Sequence, residues 1–104
     1  MFIAMNRFKI KPDATETFEE IWKSRDSKLA DNPGFVQFQL LRGPENTDEG
    51  YVLYASHTVW KSREDFEAWT RSQNFRDAHA GSGAGRDIYL GHPQFEGFSV
   101  VQGA

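Results

Sequence analysis

Val59–His79, V-W-K-S-R-E-D-F-E-A-W-T-R-S-Q-N-F-R-D-A-H, leaves a strand through Val59 and Trp60 and enters a helix at Ser62. Ser62 with Asp65 at the third helical position forms a capping box that satisfies N–H groups the first turn would leave open. Phe66 and Trp69, three residues apart, share one helical face. The polar run Ser72-Gln73-Asn74 predicts a break, and His79 follows just before a glycine-rich stretch. Read alone, Trp69 is a core residue and His79 a cation suited to the negative end of a helix dipole. A flat indole and an imidazole on one short segment also offer two sides to a flat ligand.

Working back towards the N-terminus, Tyr51 to Trp60 is a strand that also carries His57. With no second ligand at close spacing, His57 is read as structural. Gly43 to Gly50 is polar throughout and is predicted to be a hairpin loop. Before it, Phe35 to Arg42 alternates Val36, Phe38 and Leu40 against Gln37 and Gln39, after the turn Asn32-Pro33-Gly34.

Asp13 followed by Glu16 predicts a capping box opening a helix to about Ala30, with Phe18, Ile21, Trp22, Arg25 and Leu29 recurring at spacings of three and four. Arg25 thus falls within an apolar stripe. Its stem either snorkels to water or its guanidinium meets an anionic ligand.

Phe2 to Ile10 is the first strand, with Phe2, Ala4, Asn6, Phe8 and Ile10 on one face. A buried amide costs about 1 to 3 kcal/mol if left unpartnered. Asn6 therefore either pins neighbouring backbone or faces something polar that the sequence does not supply. At the other end, Gly81-Ser82-Gly83-Ala84-Gly85-Arg86 follows a helix rather than a strand, which fails the context of a dinucleotide loop. Phe95 to Val101 is predicted to be the last strand.

The 104 residues are the size of one domain, 1–104. A composition of 38% hydrophobic, 26% charged and 14% aromatic residues is that of a folded chain. A net charge of −3 without a basic run argues against nucleic acid as a partner. No apolar run reaches the ~18 residues needed to span a bilayer, and the first residues lack a signal-peptide pattern, so a cytoplasmic protein with no membrane partner is expected. The absence of cysteine excludes disulfides, thiolate ligands and a Cys nucleophile.

The order strand, helix, strand, strand, helix, strand is the βαββαβ pattern of an α+β, ferredoxin-like sandwich. Two helices cover one face of its sheet. The other face, expected to carry Ile3, Met5, Gln37, Gln39, Leu41, Tyr54 and Trp60, is too apolar for water and predicts a homodimer.

Asn6 in the first strand, N-P-G-F-V-Q-F-Q-L-L-R at 32 to 42, T-V-W-K-S-R-E-D-F-E-A-W at 58 to 69 and A-H at 78 and 79 together resemble the IsdG-type haem-degrading monooxygenases of the antibiotic-biosynthesis monooxygenase superfamily. The resemblance runs over nearly the whole length and implies a dimeric α+β barrel. It implies a catalytic trio of Asn6, Trp69 and His79, with His79 as the metal ligand to haem iron and Arg25, Trp22 and Phe66 as further cofactor-binding residues. Haem would then be both substrate and cofactor. O2 and an external electron donor, an electron-donating reductase, would complete the reaction, and iron would be released. Asn6 would donate to oxygen bound opposite His79, and Trp69 would push the macrocycle out of plane. Two other classes stay open: a cofactor-free quinol or phenol monooxygenase of the same superfamily, with His79 as a base, and a non-catalytic haem-binding dimer.

Overall fold

The computed structural model describes residues 1–25, 28–73, 75 and 86–103. Four strands, β1 (Phe2–Ile10), β2 (Phe35–Asn46), β3 (Tyr51–Trp60) and β4 (Gln94–Ser99), form one antiparallel sheet in the order β2-β3-β1-β4. Among the described residues two helices, α1 (Thr15–Lys23) and α2 (Arg63–Thr70), cover one face. This is the expected ferredoxin-like arrangement, with the first and third strands central. Among the described residues no helix is long and apolar enough to cross a membrane.

α1 is shorter than predicted. The Asp13 capping box does not form: Pro12–Ala14 makes a 3-10 turn with proline at its start, and the N-cap of α1 is Ala14 without a side-chain bond. The fixed φ of proline suits the first turn of a helix, and here that turn is the tighter one. At the far end the Ser24 hydroxyl donates to the carbonyls of Glu20 at 2.9 Å and Ile21 at 3.2 Å. A serine that competes for last-turn carbonyls favours termination over propagation. Arg25 therefore lies beyond the helix rather than within its stripe, and the chain resumes as a 3-10 turn at Leu29–Asp31.

The α2 capping box forms as expected. The Ser62 hydroxyl accepts from the Asp65 N–H at 3.1 Å and donates to the Asp65 carboxylate at 3.0 Å. Gly34, at φ 81°, sits so close that any side chain there would run into that carboxylate. Its carbonyl accepts from Lys61 N–H at 2.8 Å, which ties the Asn32-Pro33-Gly34 turn to the start of α2. Beyond Thr70, the Ser72 hydroxyl donates to Trp69 O at 2.6 Å and accepts from Phe75 N–H at 3.1 Å, ending the helix just before the predicted break.

β2 runs past its predicted end to Asn46, because a register shift between Arg42 and Glu45 takes up Gly43 and Pro44 without ending the pairing. A bulge accommodates a residue that cannot donate to the ladder. The turn is confined to 47–50, closed by Gly50 N–H to Asn46 O at 2.8 Å. β4 ends at Ser99 rather than Val101, which is fully exposed.

The register of β3 against β1, with Phe2 opposite Trp60, Asn6 opposite Ser56 and Phe8 opposite Tyr54, places Tyr54 and Trp60 under the helices. They are 1% and 0% exposed, which corrects their expected place on the open face. Both parities of β3 are apolar, so alternation alone does not choose a face. The open face instead carries Leu53, Ala55, His57 and Val59 of β3, with Ile3, Met5, Gln37, Gln39 and Leu41 as expected and Phe98 from β4.

Beneath the helices the core is divided. Phe8, Ile10, Phe18, Val52, Tyr54 and Ile88 form one cluster under α1. Phe2, Ala4 and Trp60 form another, packed by Leu29, Phe35, Phe66 and Trp69. Burying rings of this size contributes about 1.5 to 3 kcal/mol each, so each cluster anchors its own helix to the sheet. The gap between them is where the cavity lies.

Candidate active site

The two helices meet the sheet at its ends, and between their clusters a cavity of about 280 Å³ remains. Its lining draws Ala4 and Asn6 from β1, Ser56 and Thr58 from β3, Phe38 from β2, Trp22 from α1, and Phe66 and Trp69 from α2, with Arg25 and Leu29 from the connection. Five of the residues singled out in the sequence, Asn6, Trp22, Arg25, Phe66 and Trp69, are thus gathered around one space. His79 lies outside the described residues, as do positions 81–85 of the glycine-rich stretch.

The walls are aromatic and held by packing. Trp22 stacks on Phe38 with centroids 5.8 Å apart and planes within 8°. Trp69 is wedged 5.6 Å from Trp60 and 4.8 Å from Phe75. Phe66 lies 5.3 Å from Phe2 and stacks on Phe95 at 5.6 Å. Rings fixed on both sides offer flat apolar area at little further entropic cost.

The floor is polar. Asn6, Ser56 and Thr58 interrupt faces that are otherwise apolar, and Ser56 and Thr58 are both buried. The Thr58 hydroxyl donates to Ala4 O at 3.2 Å. Neither the Asn6 amide nor the Ser56 hydroxyl has a side-chain hydrogen bond among the described residues. The alternative in which Asn6 pins a neighbouring strand through its side chain is not what the structure shows.

At the rim, the Arg25 guanidinium lies 4.5 Å over the Trp22 ring. Burial pulls its pKa down from the ordinary value, and the nearby Tyr89 works in the opposite direction. Burial likewise raises the Tyr89 phenol, with Arg25 opposing. A cation stacked on an indole at a half-buried rim suits an anionic group on a flat ligand.

The site as a whole therefore fits a flat, apolar molecule with an acidic edge and an oxygen-bearing face. Sequence reading had missed Ser56, Thr58, Phe38, Leu29 and Ala4 as lining residues. The signal for Ser56 and Thr58 was present, as two small polar residues among Val52, Tyr54 and Trp60, but it is legible only once the face of β3 is known.

Residues 1–81 match the family model described as antibiotic biosynthesis monooxygenase. A heme-degrading monooxygenase of Shouchella clausii is 34% identical over 76 residues, covering 72% of this chain and 69% of its own length. The solved structure of the heme-degrader MhuD from Mycobacterium tuberculosis, with two hemes bound in its active site, has a TM-score of 0.77 and 29% identity, covering 100% of this chain and 99% of that one. SnoaB, a cofactor-independent oxygenase from Streptomyces nogalater, shares the fold at a TM-score of 0.67 and 22% identity, over 98% of this chain and 94% of its own. With the split sheet topology, the cavity between two aromatic clusters and the match over residues 1–81, the chain belongs to the antibiotic biosynthesis monooxygenase family.

Proposed function

We propose that the chain is a haem-degrading monooxygenase that takes haem as substrate, opens the porphyrin with O2 and electrons from an external donor, and releases the iron. The observation that carries this reading is the convergence of Asn6, Trp22, Arg25, Phe66 and Trp69 on one aromatic-walled cavity with a polar floor. The similarity to heme-degrading relatives supports it.

In this reading Trp22, Phe66 and Trp69 would offer apolar walls to the macrocycle, and Arg25 would receive an acidic substituent at the rim. His79 would supply the imidazole that holds the iron. When bound, haem supplies the iron at which O2 is activated. Asn6, whose side-chain amide has no hydrogen bond among the described residues, would donate to negative charge developing on oxygen, where a fixed donor has most effect. Trp69, held between Trp60 and Phe75, would press on the macrocycle from a position fixed by packing.

The active form is a homodimer built on the open face of the sheet. Leu41 and Phe98 are exposed there at 38% and 45%, and His57 Nδ1 is buried without a hydrogen-bond partner among the described residues. An apposed copy would cover the first two and offer groups to the third.

Titration of the purified protein with haemin, followed by ascorbate and air, tests the function. A Soret band that saturates stoichiometrically and then decays is expected. Absence of binding would favour the cofactor-free oxygenase class. Binding without decay would favour a haem-binding dimer.

A further inference from the structure

Asn6 on β1 and Ser56 on β3 stand directly opposite one another on the face of the sheet that looks into the cavity. Side chains of directly opposed antiparallel residues have Cβ atoms about 4.5 to 5.5 Å apart, so the amide and the hydroxyl address the same small volume. Ser56 is 5% exposed, and its hydroxyl has no hydrogen bond among the described residues. Thr58, the next residue of β3 on that face, is different: its hydroxyl is already committed to Ala4 O. The Ser56 hydroxyl lines the cavity and is not among the sealed polar atoms of the interior, so it is open to a ligand held there. It stands beside Asn6, a second donor that makes no side-chain hydrogen bond among the described residues.

We infer that Ser56 is a second hydrogen-bond donor of the site, forming with Asn6 a two-donor cradle for an electron-rich oxygen held over the cavity floor. The inference rests on the haem reading above and adds to it a residue from the neighbouring strand. Two donors from adjacent strands fix the direction of an oxygen as well as its charge, because each hydrogen bond restricts one angle. The two side chains are held by a rigid sheet, so their spacing needs no reorganisation during the reaction.

The carbon monoxide adduct of the reduced, haem-loaded protein reads such donors directly, since a donor to the bound diatomic lowers its C–O stretching frequency. Ser56→Ala is expected to raise that frequency, Asn6→Ala to raise it as well, and the double variant to raise it most. Ser56→Thr, which keeps a hydroxyl, is expected to stay near the parent. Haemin affinity of Ser56→Ala should be within a few-fold of the parent, while decay of the bound haem slows roughly 2- to 10-fold, the worth of one neutral hydrogen bond. The unfolding midpoint of the Ser56→Ala apoprotein should stay near the parent's, because the hydroxyl faces the cavity and makes no hydrogen bond among the described residues. A lowered midpoint with an unmoved carbonyl band would make Ser56 a structural residue and overturn the inference alone. Failure of the parent protein to take up haemin would overturn the haem reading and this inference with it.

Discussion

Trp22 and Phe38 lie face to face, 5.8 Å between centroids, and form the wall shared by the main cavity and a second hollow of about 410 Å³. That hollow is completed by Glu19, Lys23, Leu40, Arg42 and Tyr54. Because α1 stops at Lys23, Trp22 sits in its last turn and reaches across to β2. Trp22→Ala should join the two spaces, destabilise the protein by about 0.5 to 3 kcal/mol and weaken haemin binding up to about 10-fold, the worth of one aromatic stack. Denaturant unfolding and haemin titration on the same variant check this. Lower stability with unchanged affinity would show Trp22 to be a core residue only.

Asn6→Ala separates binding from chemistry. Since the Asn6 side chain makes no hydrogen bond among the described residues, its loss should leave stability and haemin affinity near the parent values. Decay of the bound haem should slow by about 10²- to 10³-fold, as for loss of an oxyanion-type donor. Single-turnover decay of the Soret band, measured beside the unfolding midpoint, decides it. Unchanged decay with lost stability would contradict the proposed role.

For iron ligation the expected contrast is among the three histidines. His79→Ala should lose most tight haemin binding and alter the ligand-field spectrum. His57→Ala, on the far face of the sheet, and His92→Ala should leave that spectrum nearly unchanged. An unaltered His79→Ala spectrum would remove His79 as the ligand.

Stability should respond to pH through Tyr54 and Glu19. The Tyr54 hydroxyl donates to the Glu19 carboxylate, which also accepts from Arg42 Nη1 at 3.0 Å. Burial, and then the bond to Glu19, push the Tyr54 phenol up to about 12. A folded-state value above the unfolded one gives stability fully present below about pH 10 and lost as pH rises through about 12. The Tyr54 bond, followed by Arg42, holds the Glu19 carboxyl below its ordinary value of 4.5. That contribution is present above 4.5 and fades as pH falls through the lowered value. Urea midpoints from acid to alkaline pH should show both limbs, and Tyr54→Phe should flatten the alkaline one. An identical alkaline limb in Tyr54→Phe would count against this assignment.

The open sheet face provides the last test. Light scattering at micromolar concentration should give twice the mass of the chain, and Leu41→Asp should shift it towards the monomer, because a carboxylate would be buried in an apolar contact. A parent protein that runs as a monomer would count heavily against the barrel.

The sequence by itself determined the element order, because two helical periods, four alternating stretches and the Ser62 capping box are local signals written within a few residues. It also marked Asn6, Trp22, Arg25, Phe66 and Trp69 as misfits or aromatic repeats, and through resemblance it indicated the family. Tertiary structure alone decided which face of β3 is buried. Tyr51, Leu53 and Val59 are as apolar as Val52, Tyr54 and Trp60, and only pairing with β1 breaks the tie. It also decided that Arg25 stands outside α1, since Ser24 diverts last-turn carbonyls that periodicity does not register. The partnership of Asn6 with Ser56, fifty positions away, exists only through strand register, for which no local preference codes.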